Sequence, residues 1–269
     1  MRQWDLLVNT PMMGMLNMAT DEVLLKSVAN KTRLPTLRLY AWNPLCLSLG
    51  YGQRIREVDL DRIAEYGWGL VRRPTGGKAI LHGNEITYSV ALPRDHDLAQ
   101  GDVVESYRRI SEALLAGLHH LGLSPQSEKQ AKGNRGLGPV CFEVPSHYEI
   151  TADGKKLLGS AQLRRKIGIL QHGTLPLHGD IALICDALVY PDEASRIAAK
   201  TIVRERATTL ESVVGYRISW DEAASAIVSG FVETFDIEFT ESTLTDDEHH
   251  AVDVLVDEQY AHSDWMNKR

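Results

Sequence analysis

Cysteine is scarce in this chain. Three occur in 269 residues, an odd number, and none forms a Cys-x-x-Cys pair. That excludes a disulfide scaffold and a cysteine-cluster zinc site, and it suits a reducing compartment. Long apolar runs are missing too. None approaches the roughly 18 residues a membrane span needs, and Met1-Arg-Gln-Trp-Asp5 lacks the apolar core of a signal peptide. The expected location is therefore the cytoplasm, with no membrane partner. Positive charge is in deficit. A net charge of −7 argues against a general nucleic-acid binder. Nucleotide loops fail on inspection. Gly136-Leu-Gly138 runs into Pro-Val-Cys, and Gly77-Lys78 is followed by Ala with Arg at position 72, so neither the dinucleotide nor the phosphate-loop pattern is met. His119 and His120 close a helix, where they complement its dipole; no metal site is expected. No repeat, linker or low-complexity tract divides the sequence, which predicts one domain over 1–269 with a helical C-terminal part from about 215.

Apolar residues make up 43% and charged residues 24% of the chain, enough to build a substantial core. Residues 15–29 read as a helix with Met18, Leu24, Leu25 and Val28 on one face. Asp21 falls inside that face and needs a partner; Arg72 or Arg73 is the expected one. Residues 35–51 alternate with a period of two, giving two strands around Asn43-Pro44, with Cys46 packed. A short helix follows over Asp59–Tyr66, then strands at 70–73, 79–81 and 85–92. Val103, Tyr107, Ile110, Leu114, Leu118 and Leu121 mark a helix ended by Gly122. Residues 124–140 have no apolar period and read as a long loop of the kind that forms lids. A strand is expected to run up to Leu177. The short apolar segment 181–190 makes Cys185 a core residue. Ser219–Glu222 and Thr245–Glu248 match the capping box of helix N-termini.

The stretch Cys141-Phe-Glu-Val-Pro-Ser-His-Tyr-Glu-Ile-Thr-Ala-Asp-Gly-Lys-Lys-Leu-Leu-Gly-Ser-Ala-Gln162 combines a thiol, a turn and two lysines. Cys141 follows Gly-Leu-Gly-Pro, which suits a loop. Asp153-Gly154 between apolar pairs is a hairpin signal, so Lys156 folds back toward Cys141. A thiol attacks as thiolate and needs a positive charge nearby. The small residues Gly159, Ser160 and Ala161 let a ligand approach the backbone. Taken alone, the stretch suits a buried cysteine and a solvated surface lysine better than a reactive thiol. A Cys–His hydrolase using His147 is disfavoured, because six extended residues span about 20 Å.

The second stretch is Arg72-Arg-Pro-Thr-Gly-Gly-Lys-Ala-Ile-Leu-His82, followed by Gly-Asn-Glu-Ile-Thr-Tyr-Ser89. Paired glycines allow close backbone approach, and two arginines suit a carboxylate or phosphate. With Gln171-His-Gly-Thr-Leu-Pro-Leu177, this pattern resembles the lipoate-protein ligase and octanoyltransferase family, which shares its fold with biotin-protein ligases. Cys-Phe-Glu-Val-Pro-Ser-x-Tyr-Glu followed by Gly-x-Lys-Leu-x-Gly-Ser-Ala-Gln is similar to its LipM-type octanoyltransferases. The resemblance runs from about Gln3 to the C-terminus. The chain departs from the family's usual pattern at Gly83, often Asp, and at Lys78, often Gly or Arg.

The resemblance implies an α/β fold with a mixed central sheet flanked by helices. It implies an acyltransferase in which Cys141 is the nucleophile and Lys156 its partner. At about 4 Å and an effective dielectric of 20, a lysine stabilises a thiolate by at most roughly 4 kcal/mol, enough to bring a thiol of pKa about 8.5 below neutrality. Arg73, Gly76, Gly77, Lys78, His82, Gly159, Ser160, Ala161, His172 and Gly173 are expected to line the acyl site. Octanoyl-acyl carrier protein is the implied donor and glycine cleavage H protein or another lipoyl domain the acceptor, with no cofactor. An ATP-dependent lipoate-protein ligase, octanoyl exchange between lipoyl domains, and a non-enzymatic carrier-binding module are the rivals. A basic set, Lys129, Lys132, Arg135, Lys155, Lys156, Arg164, Arg165 and Lys166, is expected to dock acidic carriers.

Overall fold

The computed structural model describes residues 2–128 and 149–268. The chain opens with strand β1 (Arg2–Val8) and helix α1 (Gly14–Ala29). Strands β2 (Thr36–Tyr40) and β3 (Cys46–Leu49) follow, then α2 (Leu60–Glu65), β4 (Gly69–Arg72), β5 (Ile80–His82) and β6 (Glu85–Pro93). Helix α3 (Val103–His120) leads to β7 (Gln126–Glu128). The long pair β8 (Glu149–Ala152) and β9 (Lys155–Arg164) precedes β10 (Gly168–Pro176). Then come α4 (Glu193–Arg206), α5 (Leu210–Val214), α6 (Trp220–Phe235), β11 (Ile237–Glu241), α7 (Asp246–Leu255) and the short α8 (Ser263–Met266).

Eight strands form one mixed sheet in the order β11-β1-β2-β6-β10-β9-β8-β7. β1 pairs in parallel with both β11 and β2, and the pairs from β2 onward are antiparallel. A second sheet has the order β4-β3-β5. Side-chain alternation sends the strands' residues to two layers. Leu37, Leu39, Ile86, Val90 and Leu92 bury against Ile110, Leu114 and Leu118 of α3 and Ile227 and Phe231 of α6. Leu7, Ala91 and Leu170 face the other way, onto Leu24, Leu25 and Val28 of α1. The small sheet uses the same rule. Leu47 and Leu49 pack with Val203 of α4, while Cys46 turns toward Met18, Tyr40 and Trp42. The face of β3 that carries Ser48 therefore looks at the large sheet, and the candidate site lies between the two.

Local chemistry explains several elements. Asp153 and Gly154 both have positive φ, 51° and 71°, as a two-residue I′ hairpin requires. Both expected capping boxes close, Ser219 with Glu222 and Thr245 with Glu248, and a third closes between Asp102 and Glu105. Other expectations need correction. Residues 126–128, read as loop, form an edge strand on β8. The C-terminal part is not all helical: Ile237-Glu-Phe-Thr-Glu241 alternates apolar and polar residues and pairs in parallel with β1, with Ile237 and Phe239 on the core that holds Trp4. Residues Ile181–Ala187 form a 3-10 segment that keeps Cys185 buried.

Candidate active site

A cavity of about 370 Å³ lies between the two sheets. One wall comes from β3, β5 and the loop joining β4 to β5, through Ser48, Arg73, Gly77, Lys78, Ile80 and His82. The facing wall comes from β6, β9 and β10, through Thr87, Lys156, Gly159, Ser160, Ala161, His172, Gly173 and Thr174. Met18, Tyr40 and Trp42 complete it. Nine of the expected binding residues and Lys156 thus meet in one place, although they come from stretches far apart in sequence. Gly76 is not on the wall; its carbonyl accepts from Arg73 instead, at 2.8 Å. Cys141, expected as nucleophile, lies outside the described residues, as do Lys129, Lys132, Arg135 and His147. Cys46 and Cys185 are both buried.

The sequence reading missed Met18, Tyr40, Trp42, Ser48, Ile80, Thr87 and Thr174. For Ser48 a signal existed. The period of two that sent Leu47 and Leu49 one way sent Ser48 the other.

Arg73 sits at the middle of a continuous polar chain. Its Nη1 donates to Ser48 Oγ at 3.1 Å and its Nε to Thr75 Oγ1 at 3.1 Å. Ser48 Oγ meets His82 Nε2 at 2.8 Å, and His82 Nδ1 meets Glu85 Oε1 at 2.6 Å. Thr75 Oγ1 meets His172 Nε2 at 2.7 Å, and His172 Nδ1 meets Asp21 Oδ2 at 3.1 Å. A guanidinium only donates, so each hydroxyl accepts from Arg73 and turns its own proton to an imidazole Nε2. Each Nδ1 then carries the proton that faces a carboxylate. Burial holds His172 below the usual histidine range, outweighing the pull of Asp21, so it is neutral at pH 7. The Trp42 ring stacks on His82 with centroids 3.9 Å apart.

The remaining donors of Arg73 hold the glycine loop. Nη2 donates to the carbonyls of Gly76 and Lys78, at 2.8 and 2.7 Å, and Nη1 to that of Ser48 at 3.0 Å. All five N–H groups of the side chain are engaged. Arg72 is likewise occupied. It donates to the carbonyls of Gly50, Tyr51, Gln53 and Met266, the last at 2.6 Å, tying residues 50–53 to the C-terminal segment. Neither arginine pairs with Asp21, contrary to expectation. Arg38 does, at 2.8 Å, with Tyr40 and Ser89 also donating to the same carboxylate. Burial pushes the Asp21 carboxyl up, but His172, Arg38 and Ser89 together hold it below the usual carboxylate range.

Of the expected basic docking set, Lys129, Lys132 and Arg135 lie outside the described residues, and the described members are not all on the surface. Lys156 is 4% exposed and belongs to the cavity wall. Arg164 donates to the carbonyls of Ala99 and Gly101. Lys155 points away from Lys156, as strand alternation requires, and donates to the Arg204 carbonyl at 2.9 Å. Arg165 and Lys166 stay exposed.

Residues 14–232 match the model for the lipoyl protein ligase A/B catalytic domain, and the chain belongs to that family. The octanoyltransferase LipM of Brevibacillus brevis is 39% identical, covering 100% of both chains. Those of Moorella thermoacetica and Bacillus subtilis are 41% and 38% identical, each over 94% of this chain and 93% and 94% of their own. Among solved structures, a bi-partite lipoate protein ligase from Thermoplasma acidophilum superposes with a TM-score of 0.82 at 28% identity, over 98% of this chain and 96% of its own. Lipoate-protein ligase A bound with ATP gives 0.80 at 28%, over 98% of each. The chain is an acyltransferase of this family, and no helix among its described residues is long and apolar enough to cross a membrane.

Proposed function

We propose that this chain acts as one catalytic unit in the cytoplasm, moving an octanoyl group from octanoyl-acyl carrier protein to a lysine of a lipoyl-accepting protein such as glycine cleavage H protein. It does so in lipoate biosynthesis, without cofactor, metal or nucleic acid. The observation that carries this reading is Lys156, buried in the wall of a largely apolar cavity. A charge held there lacks bulk water to screen it, so it acts strongly on a neighbouring anion.

In the first step the Cys141 thiolate attacks the donor thioester. A new C–S bond forms, the carrier's C–S bond breaks, and the carrier leaves as a thiolate that takes a proton. In the second step the acceptor lysine, as free amine, attacks the Cys141 thioester. A C–N bond forms, the nitrogen gives up a proton, and the Cys141 sulfur leaves as thiolate beside Lys156. Met18, Trp42, Ile80 and Ala161 offer the chain an apolar slot, and Gly159 and Gly173 keep the wall of β9 and β10 thin.

A second reading is an ATP-dependent lipoate-protein ligase, favoured by the likeness to the ATP-bound ligase structure. The occupancy of Arg73 weighs against it, since all its N–H groups serve the protein itself. Octanoyl exchange between two lipoyl domains would use the same chemistry with a different donor. The test is intact-mass spectrometry after mixing with octanoyl-acyl carrier protein. One octanoyl adduct is expected, mapped to Cys141 and absent in Cys141→Ala; an adduct on Cys46 or Cys185 would overturn the assignment.

A further inference from the structure

Five hydroxyl-bearing residues line the cavity: Tyr40, Ser48, Thr87, Ser160 and Thr174. Four are committed. Tyr40 donates to Asp21, Ser48 meets His82, and Thr87 donates to Glu85 at 2.7 Å while accepting from Trp42 at 2.8 Å. Ser160 meets the Tyr88 hydroxyl at 2.6 Å. Ser160 and Tyr88 both pair with Gly173, so that bond lies on the α3 face of the sheet, away from the cavity. Thr174 is different. It is 1% exposed, and its Oγ1 makes no hydrogen bond among the described residues.

A buried hydroxyl without a partner is costly and uncommon. Its place in the sheet says what it faces. Thr174 pairs with Gly159 on β9 and with Thr87 on β6, so all three lie on the cavity side. Gly159 has no side chain, and a Cβ built there would lie 3.5 Å from Lys156 Nζ. Thr174 and Lys156 thus flank the same gap. Thr174 lines the cavity, and its χ1 has three staggered wells that re-aim the hydroxyl within that same face of the sheet.

We propose that Thr174 is a substrate-contacting residue that donates a hydrogen bond to the carbonyl oxygen of the bound acyl group. The inference rests on the acyl-transfer reading above. An acyl chain offers one strong acceptor, its carbonyl oxygen, and that oxygen gains negative charge as either nucleophile adds. A donor fixed beside that position stabilises the charge more than it stabilises the ground state.

The test uses two variants of the full chain. Thr174→Val keeps the branched shape and removes the hydroxyl; Thr174→Ser keeps the hydroxyl. Under saturating octanoyl-acyl carrier protein, Thr174→Val is expected to lower kcat about a hundredfold with little change in KM. Thr174→Ser should stay within about threefold of the unaltered chain. The urea midpoint of Thr174→Val should equal or exceed that of the unaltered chain, because an unpaired buried hydroxyl has been removed. A valine variant with more than half the original kcat would overturn the proposal, as would a loss of kcat matched by a fall in midpoint and not rescued by serine. Failure of the unaltered chain to form an octanoyl adduct is a separate outcome, which removes the acyl-transfer reading and this inference with it.

Discussion

Asp21 and Arg38 form an ion pair at 2.8 Å in which neither side chain has any exposed surface. The pair joins α1 to β2 and sets the carboxylate that orients His172. Removing one partner strands the other charge in the interior, which typically costs 3–5 kcal/mol. Asp21→Asn is therefore expected to lower the unfolding free energy by about 3 kcal/mol or more, measured by urea denaturation. A change below about 1 kcal/mol would mean that the pair is dispensable for folding.

Acid should weaken the fold through a second buried pair. Arg33 donates to both oxygens of Glu248 and to Asp5, clamping α7 to β1. Burial raises the Glu248 carboxyl, but Arg33 and the Thr245 backbone lower it further, to about 2. Its folded value lies below its ordinary one, so its stabilisation is complete above pH about 4.5 and disappears as pH falls toward 2. The unaltered chain should exceed Glu248→Gln in stability at pH 7, and the gap should close on acidification. A gap independent of pH would contradict the assignment.

The glycine loop depends on a residue outside it. A Cβ at Gly50 would lie 2.0 Å from the Gly77 carbonyl oxygen, so any side chain there displaces the loop that Arg73 holds. Gly50→Ala is expected to cut transfer activity at least tenfold, by misplacing the wall by about an ångström, while the circular dichroism spectrum stays unchanged. Full activity in this variant would show that the loop is not part of the working site.

Thiol labelling should be selective. Burial, with the charge of Glu85, pushes the Cys46 thiol up to about 12, and Cys185 is buried. Iodoacetamide at pH 8 should modify one cysteine in the native chain, Cys141, and none in Cys141→Ala. The rate profile should give an apparent pKa below the ordinary value of about 8.5 and should move up in Lys156→Ala. An unchanged profile would confine Lys156 to substrate binding.

Much of this site was legible because its residues sit in short segments with strong local rules. Asp153-Gly154 dictates its hairpin, and that turn brings Lys156 to the cavity. The motif from Arg72 to His82 spans a strand, a loop and a strand, so its lining role follows from one connection. What stayed hidden depends on contacts between distant segments. Spacing along the chain cannot say that Asp21 finds Arg38, because α1 and β2 meet only once the sheet has formed. It cannot say that β11 joins β1 across more than 230 positions. In sequence Lys156 suits both a catalytic partner and a docking charge. Burial allows only the first, since a side chain enclosed between two sheets meets no carrier surface. Thr174 carries no signal in sequence, because threonine is an ordinary strand residue. Its significance lies in a missing hydrogen bond, which no sequence displays.

Under the proposed function the enzyme uses an acyl group already activated as a thioester. A ligase must first activate a free carboxylate, whereas a thioester needs only a nucleophile and a place for the developing oxyanion. The direct measurement supplies the acceptor protein with octanoate or lipoate plus ATP and magnesium in one reaction, and with octanoyl-acyl carrier protein without ATP in another. Acceptor lysine modification is predicted only in the second, and should be lost in Cys141→Ala. Modification in the first reaction that survives Cys141→Ala would contradict the account and make the protein a ligase.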